Sequence, residues 1–164
     1  MLRYLTAGES HGKTLVAIVD GLPSGIHIDC SLIDCELKRR QGGYGRGGRQ
    51  KLETDQVEVL SGIWKNTSLG SPIALQVVNR DYKLERLEDL PRPRPGHGDL
   101  AGAVKYLAPI RAILERASAR ETAIRVAAGA LTKQLLSLFD VSVFGFVSEL
   151  GGIPAEVPPD TSLK

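Results

Sequence analysis

The sequence predicts a mixed α/β domain of the α+β kind, with antiparallel β-sheet layers packed on helices. Three observations lead there. Apolar stretches of strand length come in neighbouring pairs, at residues 2–6 with 14–19 and at 57–63 with 71–78. A polar, glycine-bearing turn joins the members of each pair, as in a hairpin. One long helical repeat follows the strands rather than alternating with them, which favours antiparallel layers over a doubly wound parallel sheet.

The chain has 164 residues, enough for one domain with a real core. Its apolar content of 42% and charged content of 24% are those of an ordinary globular protein. The net charge of +2 is too small to argue for a polyanionic partner. Arginine is nonetheless concentrated at residues 39–49 and 92–125. No apolar run approaches the ~20 residues of a membrane span. The N-terminus reads as a strand, not as a signal peptide. A cytoplasmic location with no membrane partner is the expectation.

Residues 2–6 form the first expected strand. AGESHG follows, with Gly8 and Gly12 bracketing Glu9, Ser10 and His11, and residues 14–19 return as the second strand. Such a turn displays side chains at the end of a sheet. His11 is either a displayed catalytic group or an ordinary turn residue. GLPSG at 21–25 is a turn, and 26–28 a short strand. Ser31 with Asp34 gives a helix-start signal, and Leu32, Ile33 and Leu37 suit one face of a short helix ending near Arg40. Cys30 and Cys35 match no common zinc spacing and read as free thiols beside that helix. No metal site is expected.

QGGYGRGGRQ comes next. Gly43, Gly45 and Gly48 formally spell a G-x-G-x-x-G. The dinucleotide fingerprint must follow a strand and open a helix. Here it follows a helix and precedes a polar stretch, so that reading is rejected. What remains is a glycine loop carrying Arg46 and Arg49, with Arg39 and Arg40 at its root. Glycines let backbone N–H groups approach an anion, and arginine forks grip carboxylate or phosphate. A disordered RGG-like segment is the plain alternative.

Residues 57–63 and 71–78 are expected strands with a turn near 66–70. Residues 79–90 are polar, a loop or short helix. Pro91, Pro93 and Pro95 stiffen the approach to Gly96 and His97. Residues 101–106 suit a helical turn, and Pro109 forbids one unbroken helix through it. Ser118 with Glu121 is a capping box before an apolar periodic run. From Ala119 the repeat Ile124, Ala127, Ala128, Leu131, Leu135 and Leu138 marks a long helix, closed by Asp140. Glu121 and Arg125 form a favourable pair four residues apart. Residues 141–147 are expected to return as a strand, and the Gly/Pro-rich tail to be a linker.

Arg116 and Arg120 also stand four apart, where like charges repel unless something negative lies between them. An anion at the helix start explains the pair. A solvated basic surface explains it too. With His11 and His97 in glycine-flanked turns, the set suits a ligand of several negative charges and proton transfer by histidine. The residues alone lead to an anion-binding enzyme using acid–base chemistry.

At its motifs the chain resembles the chorismate synthases. AGESHG, RRQGGYGRGGR, ETDQVEVLSG, SLGSPIAL, NRD, RPRPGH and ERASARETA occur in that family's order and cover residues 2 to about 159. The resemblance implies a carbon–oxygen lyase acting on phosphates, in the shikimate pathway of aromatic amino-acid biosynthesis. The implied reaction is the anti-1,4-elimination of phosphate from 5-enolpyruvylshikimate-3-phosphate to give chorismate. It requires reduced FMN without net redox change, with NADPH as an implied reductant. The substrate's phosphate, about −1.5 to −2 in charge, and two carboxylates would account for the arginines. By motif, His11 resembles the proton source for reduced flavin and His97 the acid that assists phosphate departure. Ser10, Arg40, Arg46, Arg49, Arg94 and Arg120 resemble the substrate-binding set, and Arg40 and Arg46 are also associated with NADP. Arg116, Ala117 and Ser118 resemble the first FMN-binding segment. The family's fold is a β–α–β sandwich, and its assembly a homotetramer.

The family's chains are much longer, so residues 1–164 read as the N-terminal portion of such a domain, without the C-terminal half. The segment after NRD is short, GHGDL stands for GHADL, and KYLAPIR replaces KYG-x-x-D-x-R, losing its glycine and aspartate. That change is expected to disturb the approach to Ser118. Two other classes compete: an anion- or RNA-binding module using the Gly/Arg loop, and a truncated remnant that folds poorly. Aromatic content of 5% and the small net charge weigh against nucleic acid.

Overall fold

The computed structural model describes residues 1–42, 48 and 52–156. The glycine loop with Arg46 and Arg49, and the end of the tail, lie outside the described residues. Strands β1 (Arg3–Ala7), β2 (Thr14–Asp20), β7 (Ile73–Val78) and β4 (Glu58–Ser61) form an antiparallel sheet in the order β1-β2-β7-β4. A second sheet has the order β3-β6-β5, from Ser24–His27, Thr67–Leu69 and Ile63–Trp64. Helices α1 (Cys30–Gln41) and α4 (Thr122–Ser137) pack on each other, and α4 lies against β1, β2 and β7. The expected antiparallel sheet on helices is therefore present.

Alternation explains the sheet. Leu15, Ala17 and Val19 of β2 and Ile73, Leu75 and Val77 of β7 all face the helices with no exposure. Leu5 and Ile18, paired across β1 and β2, occupy the opposite, exposed face. Ile33 and Leu37 of α1 and Ile124, Ala127 and Leu131 of α4 close the core. Burying one leucine or isoleucine contributes about 1.5–3 kcal/mol. Leu131 is fully buried but Leu138 is 65% exposed, so extending α4 beyond Ser137 would bury little more. The alanines at the start of α4 let the sheet approach closely.

Several local expectations change. The stretch 57–63 is not one strand. Gly62, at φ 84°, breaks it, because a Cβ there would lie 2.6 Å from the Pro72 carbonyl oxygen. β4 thus stays in the first sheet while β5 turns into the second. The turn at 66–70 is tighter than expected. Lys65 and Asn66 both take positive φ and join β5 to β6 in a hairpin. Asp29, not Ser31, caps α1 by accepting the Ser31 N–H at 2.8 Å, which lowers the Asp29 pKa. Asp34 instead accepts the Val57 N–H at 2.8 Å. Leu32 is 51% exposed and does not join the core face.

Residues 141–147 form no strand. No described strand lies beside them to complete a ladder, and Val143, Phe144 and Phe146 are all more than half exposed. The tail instead contains a small hairpin, β8 (Glu149–Leu150) with β9 (Ile153–Pro154), turned at Gly151 and Gly152. Cys30 and Cys35 are free thiols. Among the described residues, no group of three metal-ligating side chains forms, and no helix is long and apolar enough to cross a membrane.

Candidate functional site

The site begins where β1 turns into β2. Gly8 has φ 118°, and a Cβ there would lie 2.6 Å from the Thr14 carbonyl oxygen. The loop can fold back this tightly only with glycine. Asn79, just after β7, staples it: Nδ2 donates to the Glu9 carbonyl at 3.1 Å and to the Gly12 carbonyl at 2.8 Å.

Helix α3 (Ile110–Arg116) holds the loop from the other side through Glu115, which is 1% exposed. The Glu115 carbonyl accepts the Ser10 N–H at 2.8 Å. Its carboxylate Oε2 accepts the His11 N–H at 3.0 Å and lies 2.8 Å from His11 Nδ1. On the other side of the ring, Nε2 is 3.3 Å from Asp81 Oδ2. Asp81 is itself paired with Lys83 Nζ at 3.0 Å. His11 therefore stands between two carboxylates, its side chain 20% exposed. Ser10 is buried.

Arg120 shows what separates the like charges. It is 7% exposed. Its Nη1 donates to Asp55 Oδ1 at 2.6 Å, Nε donates to Asn79 Oδ1 at 2.8 Å, and Nη2 lies 3.6 Å from Glu53 Oε2. Arg40, in the last turn of α1, joins the same group: Nη1 is 3.6 Å from Asp55 Oδ2, and Nη2 donates to the Ala119 carbonyl at 2.9 Å. Arg116 is compensated separately by Glu121, with Nη1 3.3 Å from Oε1. The protein's own carboxylates thus do what a bound anion was expected to do. Neither is this a solvated basic surface, since Arg120, Asp55 and Glu53 are buried.

The capping box forms only in part. Ser118 accepts the Arg120 N–H at 3.5 Å, and a 3₁₀ turn at Ala119–Glu121 precedes α4. Glu121 does not reach back. Its carboxylate receives hydrogen bonds from Thr6 and from Arg125 Nε, the latter at 2.6 Å, as the four-residue spacing predicted. Burial alone would raise the Glu121 pKa, but Arg125, Thr6 and Arg116 together hold it below the ordinary value.

Arg116, Ala117 and Ser118 line an open hollow of about 660 Å³, together with Gly98 and Tyr106. Arg125 also lines it. Two guanidiniums there share the single Glu121 carboxylate, so the wall keeps positive charge. His11 and Arg120 are not part of this wall.

In the Pro-rich segment, Arg94 grips Asp99 in a fork, Nε to Oδ2 at 2.9 Å and Nη2 to Oδ1 at 3.0 Å. The Arg94 N–H donates to Oδ2 as well. The side-chain fork, reinforced by that backbone donor, lowers the Asp99 pKa to about 2. Asp99 opens α2 (Asp99–Tyr106). His97 is exposed, its Nδ1 3.0 Å from the Pro95 carbonyl oxygen. α2 ends at Leu107, which takes φ 52° where KYG would put glycine. This is the structural outcome of the KYLAPIR departure: the break is kept, and a leucine holds the left-handed position.

The structure gathers Arg40 and Arg120 around Asp55, clamps His11 beside Asp81, and sets Arg116, Ala117 and Ser118 along the hollow. Arg94 and His97 flank the start of α2. Glu115, Asp81, Asp55, Glu53 and Asn79 were not singled out from sequence. Glu53 and Asp55 lie in ETDQVEVLSG, Asn79 and Asp81 in NRD, and Glu115 opens ERASARETA, so each sat inside a recognised motif.

The model of the family described as chorismate synthase matches residues 2–163. A chorismate synthase of Thermoanaerobacter pseudethanolicus is 55% identical over 159 residues, covering 94% of this chain and 45% of that protein. One of Geotalea uraniireducens is 54% identical over 179 residues, covering 100% of this chain and 46% of that protein. That alignment is longer than the chain, so this relative carries residues that the chain lacks. A solved structure titled "Crystal Structure of Chorismate Synthase" superposes with a TM-score of 0.66 at 46% identity, covering 85% of this chain and 35% of that one. The chain spans about half the length of the curated relatives it matches. The chain belongs to the chorismate synthase family.

Proposed function

We propose that residues 1–164 supply one part of the active site of a chorismate synthase. The reaction is the anti-1,4-elimination of phosphate from 5-enolpyruvylshikimate-3-phosphate, run in the cytoplasm by a homotetramer. The observation that carries this reading is the His11 clamp, with a carboxylate at each ring nitrogen. A ring so placed has an acceptor for a proton on both sides, which suits a group that stores and delivers one. His97 is the second acid. Its Nδ1 is anchored on the Pro95 carbonyl, which leaves Nε2 open to assist the departing phosphate.

Arg40, Arg46, Arg49, Arg94 and Arg120, with Ser10, form the substrate set. Arg40 and Arg46 serve NADP as well, if NADPH reduces the flavin. Arg120 and Ser10 are buried, so their part is to hold Asn79 and the Ser10–His11 loop in place beneath the substrate. The hollow at Arg116, Ala117 and Ser118 suits FMN. The positive wall left by Arg116 and Arg125 over one shared carboxylate fits its phosphate, and Gly98 leaves room beside it. Reduced FMN supplies the electronic chemistry of the elimination.

The test is a titration of FMN into the purified chain, with and without 5-enolpyruvylshikimate-3-phosphate, read from the flavin spectrum. Binding that tightens with substrate supports the reading. A folded chain that binds no flavin under either condition overturns the assignment of the FMN segment to these residues.

A further inference from the structure

Glu115 has so far served only as one of the two carboxylates beside His11, yet it is the more enclosed of the two. It is 1% exposed. One oxygen, Oε2, takes both the His11 N–H and the Nδ1 side of the ring. The other, Oε1, is buried without a hydrogen bond, its nearest cation being Arg111 Nη1 at 3.7 Å. An ionised carboxylate only accepts hydrogen bonds. With Glu115 as that carboxylate, Nδ1 is the donor at 2.8 Å and carries the hydrogen.

We propose that Glu115 is a positioning residue that fixes the tautomer of His11, keeping the hydrogen on Nδ1 so that Nε2 alone gains and loses the proton used in the reaction. The proposal rests on the reading of His11 as a proton donor. A histidine's working nitrogen is set by the hydrogen bond that its other nitrogen makes. Here that bond comes from α3, and the same residue also holds the Ser10 and His11 backbone amides. Ring and loop are thus held by one residue, the ring and the His11 N–H by its carboxylate and the Ser10 N–H by its backbone carbonyl. Nε2 faces Asp81, which is less enclosed, its side chain 25% exposed, and which Lys83 shares. When Nε2 gives up its proton, the Nδ1–H···Glu115 bond remains and the ring does not turn. Removing Glu115 would leave Asp81 as the carboxylate beside the ring, and the hydrogen of the neutral ring would move to Nε2.

The test is long-range proton–nitrogen NMR of the chain with ¹⁵N-labelled histidine, at pH about 9, above the ordinary imidazole range. The chain has three histidines, and His27→Gln and His97→Gln variants assign them. The wild-type chain is expected to show the Nδ1–H form of His11, the minor form of free histidine. Asp81→Asn should leave it unchanged. Glu115→Leu should convert it to Nε2–H, and Glu115→Gln, which keeps one acceptor oxygen, should restore Nδ1–H in large part. An Nε2–H majority in the wild-type chain overturns the proposal, as does a folded Glu115→Leu chain that keeps Nδ1–H. If Glu115→Leu does not fold, the wild-type spectrum still decides. The readout needs neither flavin nor substrate, so a failed flavin titration leaves it intact, and the reverse also holds.

Discussion

Leu107 shows how one side chain can stand against its backbone. It holds φ 52° and ψ 42° and is 92% exposed, so it is strained without being buried. A left-handed conformation costs an L-residue about 1–2 kcal/mol. Glycine avoids that cost but loses more entropy on folding, about 0.5–1 kcal/mol. Leu107→Gly should therefore stabilise the chain by a net ~0.5–1 kcal/mol, seen as a higher urea midpoint with an unchanged slope. Destabilisation would mean that Leu107 makes contacts worth more than its strain. Arg120 is the opposite case, a side chain whose surroundings were built for it. Arg120→Leu would leave Asp55 without its closest cation and remove the guanidinium 3.6 Å from Glu53. Breaking a buried pair in this way costs about 3–5 kcal/mol. Arg39→Ala, at a 73% exposed side chain paired with Glu36, should stay within about 1 kcal/mol. Urea melts of the two variants should differ by that margin, and equal losses would remove the argument from burial. The missing glycine at Leu107 could be read from the motif, but the surroundings of Arg120 could not. The like charges of Arg116 and Arg120 could be read from their spacing, but the carboxylate partners of Arg120 are distant in sequence. Asp55 is 65 positions from Arg120, and no local pattern announces such a contact.

Among the elements, those with one dominant periodicity could be read and those that rely on a neighbour could not. β2 and β7 alternate cleanly, and α4 repeats at three and four, so their faces follow from sequence alone. Residues 141–147 carry the same kind of apolar pattern without a ladder, because a strand is completed by its partner. The split at Gly62 escaped because the alternation runs through it, while the reason for the glycine lies across the sheet at Pro72. The segment leading into α2 depends on one ion pair, and that pair sets a pH dependence. The Asp99 pKa is about 2 in the folded chain, below the ordinary carboxylate value. The unfolded chain therefore takes up the proton first as pH falls. The stability that Asp99 contributes is complete above pH about 4 and is lost toward pH about 2. The difference in urea midpoint between wild type and Asp99→Asn should shrink over that range. A constant difference would mean that the fork with Arg94 does not form in solution.

For the whole molecule, burial is unevenly distributed, and that decides where the chain opens first. The fully buried side chains of β2, β7, α1 and α4 form one cluster, and nothing from residues 138–156 belongs to it. Phe144, Phe146, Leu150 and Ile153 are each more than half exposed, and the hairpin β8–β9 has only two residues per strand. An isolated hairpin of that size is marginal in water. Local opening costs little where few apolar contacts are lost and approaches the global free energy at the core. Amide hydrogen exchange should therefore divide the chain. Residues 141–156 should exchange with little protection, and the amides of β2, β7 and the first turns of α4 only on global unfolding. The loop at residues 8–13 is the informative intermediate. It has few apolar side chains, but Asn79 and Glu115 bind it at six points. If those hydrogen bonds tie the His11 loop to the core, the Ser10 and His11 amides, both donors to Glu115, will be protected nearly as well as β2. Exchange as fast as in the tail would show that the clamp opens independently of the fold.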